Sequence, residues 1–208
     1  MANAPAFQIG EALSAGWQLT KQYWKYLLAY LGAIIAVAIG MNIVGGLFRH
    51  SGFLSFIWLI ITQVVVLGIA LIFVRLGLKL VDGQKPEQAD FFWFDTKVVI
   101  NGIITMILFE LIYFGGLLLL IIPGIIFAFM FGQALYAVVD KGLKPVEALK
   151  YSHKITQGNK LQLFLFALVS GVLVFFGALL FLVGLIIVVP VIAMAQFYIY
   201  RKLTQAAS

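Results

Sequence analysis

Apolar residues run in blocks of about twenty along this chain, at 26–48, 53–78, 98–116, 118–139, 161–180 and 183–200, with the charged residues gathered between them. A helix rises ~1.5 Å per residue, so each block is close to the ~20 residues needed to cross a hydrocarbon layer ~30 Å thick. The pattern predicts an all-α membrane protein with six transmembrane helices in three hairpins. The expected outer turns are Arg49-His50-Ser51-Gly52, Gly115-Gly116 and the stretch from Leu182 to Gly184.

Before each hairpin lies a short polar segment with helical periodicity. Glu11-Ala12-Leu13 and Glu147-Ala148-Leu149 correspond at a separation of 136, and Lys85-Pro86 with Ala89 corresponds to Lys144-Pro145 with Ala148 at 59. Pro5, Pro86 and Pro145 open the three segments, where a missing N–H is harmless in a first helical turn. The expected unit is an interfacial amphipathic helix followed by a transmembrane hairpin, used three times in one domain: 5–81, 82–139 and 140–203. Ile9, Leu13 and Trp17 share one face of the first segment, and Ala148, Tyr151 and Ile155 one face of the third, opposite Glu147, Lys150 and Lys154. Trp17, Trp24, Phe91, Phe92, Trp93, Phe94 and Tyr151 are the expected anchors at the headgroup boundary. Docking of these helices on a partner protein fits the same pattern.

Composition agrees with lipid as the solvent, since 63% of residues are hydrophobic, 11% are charged and the mean hydropathy is +1.09. A soluble core of 208 residues could not hide that much apolar surface. With the N-terminus inside, thirteen of the fourteen Lys and Arg residues fall on the cytoplasmic side and Arg49 alone outside, which predicts an N-in, C-in topology. The basic excess of 14 against 8 acids thus reads as a topology signal and an attraction to anionic headgroups, with no nucleic acid implied. The chain has no cysteine, which removes thiolate chemistry and disulfides. The polar start, lacking a basic stretch followed by an apolar run and a cleavage site, predicts no removable signal peptide.

Few polar residues enter the spans. Glu110 is the one acid within them, a candidate titrating or coordinating group, or else a protonated acid bridging helices. Arg75, Gln133 and Gln196 correspond between hairpins at separations of 58 and 63, and are expected at a shared cytoplasmic vestibule or as caps of neighbouring helix ends. Gly32, Ala36 and Gly40, and likewise Gly124, Ala128 and Gly132, form rows of small residues expected to be internal packing seams, with a homo-oligomer contact as the alternative. Pro123 and Pro190 are expected to interrupt the fourth and sixth spans. Asn42, Gln63, Asn101 and Thr105 are expected to hydrogen-bond between helices. Chemistry is sparse: His50 and His153 are expected on opposite sides, and the acids lack metal-ligand spacing. No phosphate loop or nucleophile elbow appears. No metal or cofactor is expected, and no enzymatic activity.

Ile122-Pro123-Gly124, Asp140, Glu147-Ala148-Leu149 and the run from Ser152-His153-Lys154 through Gly158-Asn159-Lys160 resemble a loose group of bacterial six-span proteins. These are the YciC-like proteins and the membrane domain fused to some glycerophosphodiester phosphodiesterases. The resemblance implies the six-span fold and a multi-pass place in the bacterial cytoplasmic membrane. It brings no catalytic residues, and no phosphodiesterase domain is expected in this sequence. The functional expectation is a non-enzymatic membrane protein acting through lipid or protein contacts, as accessory subunit, scaffold or membrane-organising factor. The alternative is a small transporter or channel built around Glu110.

Overall fold

The computed structural model describes residues 5–48, 50–179 and 183–207, and the described residues form helices joined by short turns. Six stretches are long and apolar enough to cross a membrane, Ile9–Leu47, Gly52–Val81, Thr96–Leu118, Ile122–Lys141, Lys160–Leu179 and Gly184–Ala206, so this is a multi-pass membrane protein. Arg49 and Leu182, the first residue of the expected third turn, lie outside the described residues, and Val183 and Gly184 belong to a helix.

Helix α1 (Ile9–Leu47) joins the first polar segment and the first span in one 39-residue helix, bent where Tyr23 leaves helical geometry (φ −114°, ψ 18°). No proline or glycine lies between Trp17 and Leu31 to stop it. Its first half is seated on protein: Gly16 lies so close to α9 (Val183–Ala206) that a Cβ there would meet the Val191 carbonyl, and would stand 2.9 Å from the Ala195 Cβ. Helix α2 (Gly52–Val81) starts at Ser51, whose Oγ accepts from the Leu54 amide at 3.4 Å, and ends at Asp82 before Gly83 (φ 76°).

After the four-residue α3 (Gln88–Phe91), Asp95 caps α4 (Thr96–Leu119) by accepting from the Lys97 and Val98 amides at 2.8 and 3.2 Å. Gly115 and Gly116 do not make the second turn. They are helical, and the chain reverses at extended Leu120 before α5 (Ile121–Phe131). Gly116 serves close approach, since a Cβ there would lie 2.9 Å from the Gly124 Cα, whereas a Cβ on Gly115 would meet nothing within 4 Å. Gly177 and Gly184 do the same for the third hairpin, formed by α8 (Lys160–Leu179) and α9, where a Cβ on Gly184 would stand 2.6 Å from the Gly177 carbonyl oxygen. Pro123 does not interrupt the fourth span. It occupies the first turn of α5, where its missing N–H costs nothing. The span breaks further on, at Gly132-Gln133, and resumes as α6 (Ala134–Lys141). Pro190 lies inside α9, which continues through it without the expected interruption.

Helix α7 (Pro145–Thr156) follows Gly142, whose φ of 62° ends α6. Ala148, Leu149, Ser152, Ile155 and Thr156 are buried, so its apolar face is spent on α4, α5 and α6. Its wet face is Glu147, Lys150 and Lys154, as the periodicity predicts. The second helices of the three hairpins meet at Phe197, whose ring covers Gly77 and lies 5.4 Å from Phe73 and 5.6 Å from Tyr136. Outside this core the surface is apolar, with Leu47, Phe53, Phe114 and Leu118 exposed, as in a protein solvated by lipid.

Candidate functional site

The ends of α2, α6 and α9 are tied together by one cation. Arg201, in the last turns of α9, donates from Nη1 to Asp140 Oδ1 at 2.6 Å, and from Nε and Nη2 to the two Asp82 oxygens at 2.8 and 2.6 Å. Asp140 stands in the last turn of α6 and Asp82 caps α2, so the planar guanidinium reaches both where a point charge could not. The neighbouring Tyr200, fully buried, donates to Asp140 Oδ2 at 2.9 Å. Beside this clasp, Lys202 pairs with Glu11 at 3.0 Å, and the Tyr198 hydroxyl donates to the same carboxylate, fixing the start of α1.

A second clasp holds the loop before α4. Lys79 donates to both oxygens of buried Asp90 at 2.6 and 2.8 Å, the Glu87 amide donates to one at 2.9 Å, and Arg75 approaches at 3.5 Å while lying 4.7 Å over the Trp93 ring. Burial opposes ionisation of Asp90. Lys79, the Glu87 amide and Arg75 overcome that penalty and hold its carboxyl below the usual range.

At the break in the fourth span the two orphaned backbone groups are satisfied from α7. The Ser152 hydroxyl accepts from the Gln133 amide at 3.1 Å and donates to the Met130 carbonyl at 2.9 Å, and Thr156 reaches the same carbonyl at 3.2 Å. A hydroxyl is the small group able to accept and donate at once.

The acids are therefore largely committed: Glu11, Asp82, Asp90 and Asp140 to ion pairs, and Glu87, Asp95 and Glu147 to helix starts. The lysines are not. Lys21, Lys25, Lys85, Lys97, Lys141, Lys144, Lys150, Lys154 and Lys160 have no carboxylate within ion-pair distance among the described residues. Three of them lie near rings, Lys21 at 5.3 Å from Trp17, Lys25 at 6.0 Å from Trp24 and Lys141 at 5.2 Å from Tyr151.

Several expected sites are placed differently. Glu110 is exposed on the same flank of α4 as Ile107, Leu111 and Phe114, and bonds to no described residue. Arg75, Gln133 and Gln196 line neither the groove between α1, α2 and α9 nor the small cavity beside Tyr30 and Phe91; Arg75 is taken by Asp90 and Trp93, and Gln133 is buried below Ser152. The row Gly32, Ala36, Gly40 is no internal seam: all three are exposed, and a Cβ at either glycine would meet nothing within 4 Å. Of the other row, Gly124 packs against Gly116 and Leu117, Ala128 is half-buried, and Gly132 is exposed at the break, where a Cβ would meet the Ala128 carbonyl of its own span. Trp17, Trp24, Phe92 and Phe94 are exposed as anchors should be, whereas Phe91, Trp93 and Tyr151 are half-buried against protein. Asn42 bonds back to Ala38 in its own helix at 2.8 Å, Gln63 is exposed, and buried Thr105 has no hydroxyl partner, so none of these makes the expected bond between helices. No hydrogen bond of Asn101 is recorded either.

The two clasps and the Ser152 bridge were not singled out from the sequence. One signal was there: Val81-Asp82 and Val139-Asp140 recur at a separation of 58, the same as Arg75 and Gln133.

The chain is similar to mycobacterial proteins described only as uncharacterized. It is 33% identical to Rv2560 of Mycobacterium tuberculosis over 127 residues, covering 61% of this chain and 38% of the relative. It is likewise 33% identical to Mb2590 of Mycobacterium bovis over 129 residues, again 61% and 38%. The matched region thus spans well under half of these relatives' length. No family model and no solved structure matches the chain.

Proposed function

We propose that this chain is a non-enzymatic integral membrane protein of the bacterial cytoplasmic membrane, with both termini in the cytoplasm, that acts through lipid or protein contacts as an accessory or membrane-organising component. The division of charge at the basic end of the bundle carries this reading. Acids are consumed in internal pairs and caps, while nine lysines, several beside aromatic rings, keep their charge for something outside the chain. Anionic headgroups attract such lysines by about 1 kcal/mol each. The threefold use of a polar helix plus hairpin, and membership of the six-span group that 122–164 resembles, belong to the same proposal.

Transport fits less well. Glu110 faces outward on α4, and Arg75 and Gln133 are engaged elsewhere, so these residues do not line a common path. The test is purification of the chain from bacterial membranes in mild detergent, with mass spectrometry of what accompanies it. The expected result is anionic lipid enriched over the bulk membrane, or a stoichiometric protein partner. A lipid-free, partner-free chain that carries solute across liposomes would overturn the proposal.

A further inference from the structure

A groove of about 850 Å³ runs between α1, α2 and α9, open along its flank. That is within the ~300–1,000 Å³ of sites that hold small molecules. Its walls are apolar except at one end, and the polar end is built on a single turn of α1. There Lys21 and Thr20 line the groove beside Trp17 and Trp24. The Lys21 ammonium lies 5.3 Å from the Trp17 ring and has no carboxylate partner among the described residues, whereas the Thr20 hydroxyl is occluded and does not open to the groove. The other hydroxyl in the lining, that of Tyr30, is already spent on the Ile69 carbonyl at 2.8 Å.

A lysine without a carboxylate partner at the head of an apolar channel is complementary to an anion carrying a hydrocarbon tail. Tryptophan rings at that level suit a headgroup boundary. Length agrees too. From Lys21 to Ile34, the last α1 residue of the lining, is about 20 Å at ~1.5 Å per residue, close to the ~15 Å of one hydrocarbon leaflet plus its headgroup margin.

We infer that this groove is a binding site for one anionic phospholipid, its phosphate at Lys21 and one acyl chain along α1 and α2. The inference deepens the lipid-contact reading above and rests on it.

Native mass spectrometry of the purified full chain, titrated with phosphatidylglycerol or with phosphatidylcholine of the same chains, tests it. One phosphatidylglycerol should be retained in preference to phosphatidylcholine. Lys21→Gln, a change at an exposed side chain that does not threaten the fold, should weaken phosphatidylglycerol at least fivefold and leave phosphatidylcholine unchanged. Ala70→Trp, which fills the groove, should abolish retention of both. Lys150→Gln with Lys154→Gln, on the wet face of α7, should leave the retained lipid in place. If only the α7 pair weakens binding, the groove assignment is overturned while the wider lipid reading stands. If the wild-type chain shows no preference for phosphatidylglycerol, the groove assignment and the lipid form of the wider reading both fall. A dimer that Ala70→Trp dissolves would assign the groove to a second copy and overturn the lipid.

Discussion

Arg201 Nη1 stands 2.6 Å from Asp140 Oδ1, and through that contact the last turn of α9 is fixed to the last turn of α6. The same guanidinium holds Asp82 at the end of α2, so one side chain joins three spans. Asp140→Asn should cost about 1.5–3 kcal/mol, the range for charge-assisted bonds, because it also weakens the bond from buried Tyr200. Asp82 is about one-third exposed, and Asp82→Asn should cost about 0–1 kcal/mol. Arg201→Lys should not rescue Arg201→Gln, since an ammonium cannot bridge two carboxylates in a plane. Thermal unfolding in detergent reads all four, and equal effects at Asp82 and Asp140 would contradict the ranking.

Asp90 gives the fold an acid limit. Its carboxyl, held below the usual range in the folded chain, returns to about 3.9 when unfolded. Folding therefore favours the ionised form. The resulting stability is present above pH ~4 and is lost as pH falls through the folded value. Wild type should exceed Asp90→Asn in unfolding temperature at neutral pH, and the gap should close on acidification below pH ~4. A gap that persists in acid would show that the variant's loss comes from packing alone.

Glycines separate the contacts made within the chain from those the spacing only implied. Gly16→Ala should cost about 1–3 kcal/mol, because the new Cβ presses on the Val191 carbonyl and the α9 backbone at Ala195, neither of which can swing away. Gly32→Ala and Gly40→Ala meet nothing and should be neutral or stabilise by up to ~1 kcal/mol through helix propensity. Comparison of unfolding temperatures for the three variants decides the matter, and a loss at Gly32 or Gly40 would point to a contact outside the chain.

Ser152→Ala removes the group that closes the break in the fourth span. The Gln133 amide is left without a partner and the Met130 carbonyl keeps only Thr156. The expected cost is about 1–3 kcal/mol, with Ser152→Thr recovering part of it. Hydrogen exchange at the Gln133 amide should rise in the alanine variant, and unchanged protection there would sink the bridging role.

Hydropathy was enough to locate the spans, because a lipid-crossing helix must be apolar for its whole length. Four of the six spans both begin and end within a few residues of the expected limits. What it could not show is where a chain breaks or turns inside an apolar run. Gly115-Gly116 and Gly132-Gln133 look alike as weak spots, yet in the first Gly116 is a contact for Gly124 and the second is the break, because only there does Ser152 stand ready to satisfy the freed backbone. Spacing was a poor guide to neighbours for a similar reason. A row such as Gly32, Ala36, Gly40 marks one face of a helix without saying what lies against it, and in this chain nothing does. The amphipathic face of α7 was legible, but its partner was not: the periodicity of Ala148 and Ile155 is the same whether lipid or protein covers them.

Glu110 tests whether the outer flank of α4 meets anything besides lipid. It is exposed between Phe109 and Leu111 on an apolar helix and bonds to no described residue. An acid near the centre of a lone span costs roughly 2.5–3.5 kcal/mol on insertion scales. If lipid is its only neighbour, Glu110→Leu should raise unfolding temperature in lipid nanodiscs, and Glu110→Gln should do so less, because the amide still needs hydrogen bonds. If the carboxylate meets a donor on another chain, both variants should lose that association, seen as a shift in mass by light scattering, with no gain in stability. The position of Glu110 beside Leu111 and Phe114, on a surface with no partner inside the chain, favours the first outcome. A fall in the stability of the isolated chain on Glu110→Leu would contradict the outward placement itself.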